Sequence, residues 1–95
     1  MNSLSSTITT TRHYDQRFRE RVAKKSRRGN VFAALAYANG QSSENVRNNY
    51  LRRYLEAKER AHGSEAKIYH GNIYWFVDNV VTTVYPLPPH TESLA

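Results

Sequence analysis

The sequence predicts an α+β fold with the element order β-α-α-α-β-β-β, in which a helical layer packs on a small antiparallel sheet closed by a three-stranded meander. Residues 67–87 are rich in Ile, Tyr, Trp, Phe, Val and Thr, which favour strands. Two tight-turn signals, Gly71-Asn72 and Asp78-Asn79, divide this stretch. Residues 12–62 instead show the apolar spacing of helices. Helices followed by adjacent strands are typical of α+β domains.

The first elements are a short strand and a basic helix. Residues 5–11 are rich in Ser and Thr with one Ile and predict a strand at about 6–10 that joins the meander. A helix is expected from Arg12 to about Arg28, capped by Thr10 or Thr11. Its inward stripe has i, i+4, i+8 spacing and consists of Tyr14, Phe18 and Val22.

Two further helices are expected before the meander. The first spans about 31–39 and ends at Gly40, with an inward side made of Val31, Phe32, Leu35 and Ala36. The second spans about 44–62 and is capped by Ser42 or Ser43. Its inward stripe is predicted to be Val46, Tyr50, Tyr54, Ala57 and Ala61, with Leu51 and Leu55 beside it.

The meander is expected to contain strands at about 67–70, 73–77 and 80–85, with Pro86 ending the pairing. Two-residue loops would place Ile68 opposite Trp75 and Val77 opposite Val80. The aliphatic face that carries Trp75 is the better core face. The opposite face is aromatic and is expected to suit a wet surface; it collects Lys67, Tyr69, Tyr74, Phe76, Val81, Thr83 and Tyr85.

Composition limits the class of protein. A chain of 95 residues supports one small domain, expected over 1–88, with an extended or disordered tail over 89–95. No apolar run approaches the roughly 20 residues of a membrane-spanning helix, and the N-terminus does not resemble a secretory signal. There are no cysteines, so disulfides and thiolate metal sites are excluded. A cytoplasmic protein without membrane attachment is the default expectation.

The net charge of +6 is concentrated in one segment. Residues 12–28 contain eight basic and two acidic side chains, and the remainder of the chain is neutral. Clustered positive charge is typical of proteins that bind RNA or another polyanionic surface. A helix face that only improves solubility is the simpler alternative.

The sharpest candidate site is His13, Arg17 and Arg21, spaced i, i+4, i+8 on one flank of the basic helix. Arginine binds phosphate through a planar fork of donors, and histidine exchanges protons near neutral pH. His70, at the tip of the first hairpin, is a second candidate for a proton-transfer pair with His13. The predicted anion-binding or nucleic-acid-binding residues are Arg12, Arg17, Arg21, Lys24, Lys25, Arg28, Lys67, Tyr74 and Tyr85. Scattered carboxylates and unsuitable histidine spacing predict no metal and no cofactor.

The opening Thr-Thr-Arg-His and the closing Thr-Val-Tyr-Pro-Leu, with the meander Tyr-His-Gly-Asn-Ile-Tyr-Trp-Phe, resemble small phage and bacterial proteins of the RelE/ParE-like toxin superfamily. The resemblance covers about residues 8–88. It implies a microbial-RNase-like domain that cleaves RNA without metal, as RelE-type members do, or that acts on a protein target, as ParE-type members do. RelE nucleases carry several basic residues on the sheet, whereas here the strands carry only Lys67.

Three functions remain open at this point. The first is a small basic protein that binds RNA and cleaves it by metal-independent phosphodiester chemistry. The second is a non-catalytic inhibitor or adaptor, for example anti-CRISPR-like, that binds a host nucleic-acid-handling protein through its basic helix. The third is a simple nucleic-acid-binding module. A protein target or antitoxin is a further expected partner, and the protein is expected to be a monomer or a homodimer.

Overall fold

The computed structural model describes residues 9–22 and 29–87 of the chain. Within these residues, three α-helices and one short 3₁₀ helix accompany a five-stranded sheet. In chain order the elements are β1 (Thr9–Thr10), α1 (Arg12–Arg21), α2 (Gly29–Asn39), β2 (Gln41–Ser42), the 3₁₀ helix (Ser43–Asn45), α3 (Asn49–His62), β3 (Glu65–Tyr69), β4 (Asn72–Val77) and β5 (Val80–Pro86). The predicted α+β class is confirmed.

The sheet has the strand order β1-β5-β4-β3-β2. The meander β3-β4-β5 is antiparallel as predicted, and β2 adds an antiparallel strand beside β3. β1 joins the meander as expected, but it pairs with β5 in parallel, so the sheet is mixed. None of the described helices is both long and apolar enough to cross a membrane.

Helices cover both faces of the sheet, which corrects the expectation of one helical layer. On one face, Tyr14 and Phe18 of α1 and the alanines of α2 pack on Tyr74 and Phe76. On the other face, Leu51 and Leu55 of α3 pack with Ile73 and Trp75. Alternation along β4 sends these neighbouring side chains to opposite sides. The aromatic face is therefore a second core and not a wet surface, because α1 and α2 bury it.

The register of the meander differs from the prediction at two places. The first turn is His70-Gly71 and not Gly71-Asn72, so Ile68 lies opposite Ile73 instead of Trp75. Both turn residues have positive φ, 50° and 78°, as the tightest hairpin turn requires. The second turn, Asp78-Asn79, and the pairing of Val77 with Val80 are confirmed. A bulge in β5 then shifts the pairing, so that Phe76 lies opposite Val81 but Trp75 lies opposite Thr83.

The inward sides of α2 and α3 also differ from the prediction. In α2 the alanines at 33, 34 and 36 are buried, whereas Val31 is exposed. α3 begins only at Asn49, after Asn48, whose side chain accepts the backbone N–H of Leu51. Leu51 and Leu55 are its buried residues, so Tyr50 and Tyr54 point outward, Tyr50 with 83% of its surface exposed. The predicted helix beyond Val22 and the predicted tail fall on residues 23–28 and 88–95, outside the described residues.

Candidate functional site

Helix α1 lies along the edge of β5, and its cap fixes that position. Thr11 has extended backbone angles, and its hydroxyl accepts the backbone N–H of Tyr14 at 3.0 Å. The same hydroxyl donates to the carbonyl of Thr82 at 3.3 Å. At the other end of α1, Nη1 of Arg21 donates to the carbonyl of Val84 at 3.1 Å. Because β1 pairs only with Val80 and Val81, these side chains take the place of a longer neighbouring strand.

The predicted flank of His13, Arg17 and Arg21 is divided between different environments. Arg17 forms an ion pair with Glu20 at 2.8 Å. Hydrogen bonds from Arg17 and then Gln16 lower the pKa of the Glu20 carboxyl. Arg21 binds the edge of β5 and stacks over the ring of Tyr85, with its guanidinium carbon 4.3 Å from the ring centre. Both arginines therefore have partners within the protein, and His13 is exposed.

A groove of about 710 Å³ opens beside His13, between α3 and strands β4 and β5. Its volume falls in the range of roughly 300–1,000 Å³ that small-molecule sites occupy. The strands contribute ring and aliphatic surface, chiefly Ile73, Trp75 and Tyr85, together with Thr82 and Thr83. Helix α3 contributes Tyr54, Lys58 and His62.

The groove combines two imidazoles and one ammonium group with aromatic rings. His13 comes from α1 and His62 from the last turn of α3, and both are exposed. No carboxylate lines the groove among the described residues. The lining is therefore suited to an anionic ligand that also carries an aromatic ring.

His62 had been given no role from the sequence, although its spacing carries a signal. Tyr54, Lys58 and His62 recur at i, i+4 and i+8, which places them on one flank of a helix. The signal was missed because Tyr54 was assigned to the inward stripe. Leu51 and Leu55 occupy that stripe instead and leave the Tyr54 flank open to the groove.

His70 is not brought into the groove. It lies in the turn between β3 and β4, is exposed, and contacts the ring of Tyr69 with 4.3 Å between ring centres. The expected convergence of His13 and His70 is therefore not seen at the groove. His62 is the histidine that shares it with His13.

Two of the predicted binding residues on the sheet, Tyr74 and Lys67, already make contacts within the protein. Tyr74 is fully buried between the helices and the sheet, so it presents no ring surface for a base, and burial raises its pKa to about 12. The Nζ atom of Lys67 donates to the Ser42 hydroxyl at 2.9 Å and lies 3.3 Å from Glu65. Tyr85, by contrast, is 43% exposed and lines the groove.

Of the remaining predicted cations, Arg12 alone lies among the described residues, and it does not line the groove. Arg12 is exposed at the start of α1. Lys24, Lys25 and Arg28 lie outside the described residues. Within residues 9–22 and 29–87, no group of three or more His, Asp or Glu side chains is arranged to hold a metal ion.

Comparison of the chain with protein families, with characterised proteins and with solved structures finds no significant match. The resemblance to RelE/ParE-like toxins therefore stays a prediction. A function is therefore inferred from the side chains that line the groove.

Proposed function

We propose that the protein binds RNA in the groove between α3 and strands β4 and β5. The observation that carries the proposal is the lining, which joins the exposed rings of Tyr54 and Tyr85 and the edge of Trp75 to the basic groups of His13, Lys58 and His62. Proteins bind single-stranded RNA by stacking unpaired bases on aromatic side chains while cations follow the phosphates. The net charge of +6 adds long-range attraction for a polyanion. The RelE-like resemblance agrees with RNA as the partner, in the cytoplasm of a bacterial cell.

We further propose that the two groove histidines make metal-independent cleavage of the bound RNA available. One imidazole removes the proton of a ribose 2′-hydroxyl, whose oxygen attacks the adjacent phosphorus. The bond from phosphorus to the 5′-oxygen breaks, and the other imidazolium donates a proton to that leaving oxygen. The products are a 2′,3′-cyclic phosphate and a 5′-hydroxyl. The positive charge of Lys58 favours the phosphate as its negative charge grows.

The test separates binding from cleavage. A fluorescently labelled single-stranded RNA of about ten nucleotides is titrated with the protein in EDTA, and cleavage of the same RNA is followed on a gel. The variants H13A and H62A are expected to bind within about threefold of the wild type and to lose cleavage. H70A, which changes a histidine outside the groove, serves as the matched control and keeps both. Absence of RNA binding by the folded wild type would refute the proposal.

A second candidate, the non-catalytic inhibitor or adaptor, is favoured by the outer side of α3. Tyr50 is 83% and Tyr54 47% exposed, and Ala57 and Ala61 continue the exposed stripe. Tyrosine is enriched at protein interfaces and among the residues that contribute most to binding there. This reading expects a stoichiometric complex with a nucleic-acid-handling protein that survives nuclease treatment and is lost in Y50A, while Y50A still binds RNA normally. Retention of the complex by Y50A would place the contact elsewhere.

A further inference from the structure

Thr83 carries an unsatisfied hydroxyl at the groove. Its Oγ1 atom exposes less than 1 Å² and has no hydrogen-bond partner in the described part of the chain. The residue also lines the groove. Buried hydroxyl groups in folded proteins nearly always have a partner, so an exception requires an explanation. Rotation of the Thr83 side chain about its Cα–Cβ bond would turn the hydroxyl into the groove, where a polar ligand atom would supply the missing hydrogen bond.

The β5 bulge is what brings Thr83 to this position. Without the shift in register, Thr82 would lie opposite Trp75. With it, Thr83 lies opposite Trp75 and Tyr85 lies opposite Ile73. Directly opposed side chains on one sheet face have Cβ atoms about 5 Å apart. The bulge therefore sets one hydroxyl beside the indole of Trp75 and the phenol of Tyr85, a use of bulges that recurs near functional sites.

We infer that the floor of the groove is a pocket for one unpaired nucleobase. The base ring lies against Tyr85 and the exposed edge of Trp75, and its polar edge bonds the Thr83 hydroxyl, which both donates and accepts. The attached phosphate then points to the basic side chains at the rim, Lys58 and His62. A base in a duplex has its pairing edge occupied and its faces stacked, so the pocket selects single-stranded RNA. This inference rests on the proposed RNA binding and adds that the protein recognises an unpaired base of the RNA.

The chain offers its own probe, because Trp75 is the only tryptophan. Contact of a base with the exposed edge of its indole is expected to quench the tryptophan fluorescence. The ligands are a single-stranded hexaribonucleotide, the same strand annealed to its complement, and the same strand with its bases replaced by abasic ribose. Wild-type protein is expected to show quenching with the single strand only, and at least tenfold weaker binding of the other two.

The variant T83V keeps the shape of the side chain and removes the hydroxyl. Because that hydroxyl has no partner within residues 9–22 and 29–87, the melting temperature of T83V is expected to equal or exceed that of the wild type. Its affinity for the single strand is expected to fall about tenfold, the effect of one lost hydrogen bond to a ligand of about 1.4 kcal/mol. T83S keeps the hydroxyl and is expected to retain most of the affinity. T10V, on β1 and outside the groove, is the matched control and binds normally.

The outcomes distinguish the two proposals. If the wild type binds the single strand, the duplex and the abasic strand equally, or if T83V binds like the wild type, the base pocket is wrong while RNA binding stands. If the folded wild type binds none of the three ligands, RNA binding itself is wrong. If T83V melts well below the wild type while T83S does not, the hydroxyl has a structural role in the protein and the inference is overturned.

Discussion

Tyr14 of α1 and Tyr74 of β4 are both fully buried in the core between α1 and the sheet. Only Tyr14 forms a hydrogen bond through its hydroxyl within the described residues. The Tyr14 hydroxyl donates to the carbonyl of Gly29 at 2.7 Å and thereby joins α1 to the start of α2. The Tyr74 hydroxyl is buried without a partner in the described residues. Two tyrosines in one cluster therefore contribute differently to stability.

We expect Y14F to lower the free energy of unfolding by about 1–2 kcal/mol, since it leaves the Gly29 carbonyl unsatisfied. Y74F should change it by less than about 0.5 kcal/mol or increase it, because no hydrogen bond is lost. Urea denaturation at pH 7 measures both, and Y50F, at an exposed tyrosine, is the control. Equal losses in Y14F and Y74F would contradict this assignment of the hydrogen bond.

The same burial makes stability depend on alkaline pH. Burial raises the pKa of Tyr74 to about 12 and that of Tyr14 further above its ordinary value near 10. Above pH 10 the unfolded chain releases these protons while the folded protein keeps them, so stability is full below pH 10 and falls as pH rises. Each group contributes a slope of about 1.4 kcal/mol per pH unit. Urea denaturation between pH 9 and 11.5 should show a shallower decline for Y74F; an unchanged slope would contradict the shift.

At the scale of elements, Glu59 joins three of them. Its Oε1 atom accepts the Ser43 hydroxyl at 2.8 Å, and its Oε2 atom accepts the backbone N–H of Ala66 at 2.8 Å. One carboxylate of α3 thus holds the 3₁₀ helix on one side and the start of β3 on the other. Hydrogen bonds to charged groups are the stronger ones.

We expect E59A to lower the free energy of unfolding by about 2–3 kcal/mol, because it leaves the N–H of Ala66 and the hydroxyl of Ser43 without their acceptor. E56A makes the same change one turn earlier on α3, where the side chain forms no hydrogen bond or ion pair within the described part of the chain. It should shift stability by less than about 0.5 kcal/mol. Chemical denaturation of both variants compares them, and similar losses would mean that Glu59 acts only as a helix residue.

Elements were predictable from the sequence where local chemistry decides them, and less so where tertiary contacts decide. Thr11 capping α1, the inward pair Tyr14 and Phe18, and the Asp78-Asn79 turn follow from local pattern and are confirmed. The β5 bulge inserts one residue opposite a regular strand, and no local signal marks Thr82 for it. In the first hairpin the sequence predicts the turn at Gly71-Asn72, whereas the turn is His70-Gly71, because His70 adopts a positive φ that is uncommon for a residue other than glycine.

The candidate site was predictable only in part for the same reason. His13 and Tyr85 are predicted from the sequence and do line the groove. The predicted partner of His13 is His70, at the tip of the first hairpin, and His62 is not predicted because the sequence places the Tyr54 flank of α3 inward. Tyr and Leu alternate along α3 at helical spacing, so two stripes compete for the inward side. Burial of aliphatic leucines against Trp75 decides between them, and that contact exists only once the sheet is formed.

At the scale of the whole molecule, the arrangement of layers explains why the groove exists. α1 and α2 together cover one face of the sheet, but α3 alone covers the other. α3 approaches the sheet chiefly over β3, so Ile73, Trp75 and Thr83 border an open space between α3 and β5. α1 closes the far side of that space with His13. The groove therefore exists because two helices cover one face of the sheet and only one of the described α-helices covers the other.

The charge of the whole molecule gives the last prediction, the dependence of RNA binding on salt. Each phosphate neutralised on a single strand contributes about −0.7 to the slope of log K against log salt, so three to five contacts give a slope of about −2 to −3.5. K58A removes one cation from the groove and should make the slope less steep by about 0.7. R47A removes an exposed arginine that does not line the groove and should leave the slope unchanged. Titrations of labelled RNA from 50 to 300 mM salt measure the three slopes, and an equal change in K58A and R47A would mean that the whole basic surface, and not the groove, holds the RNA.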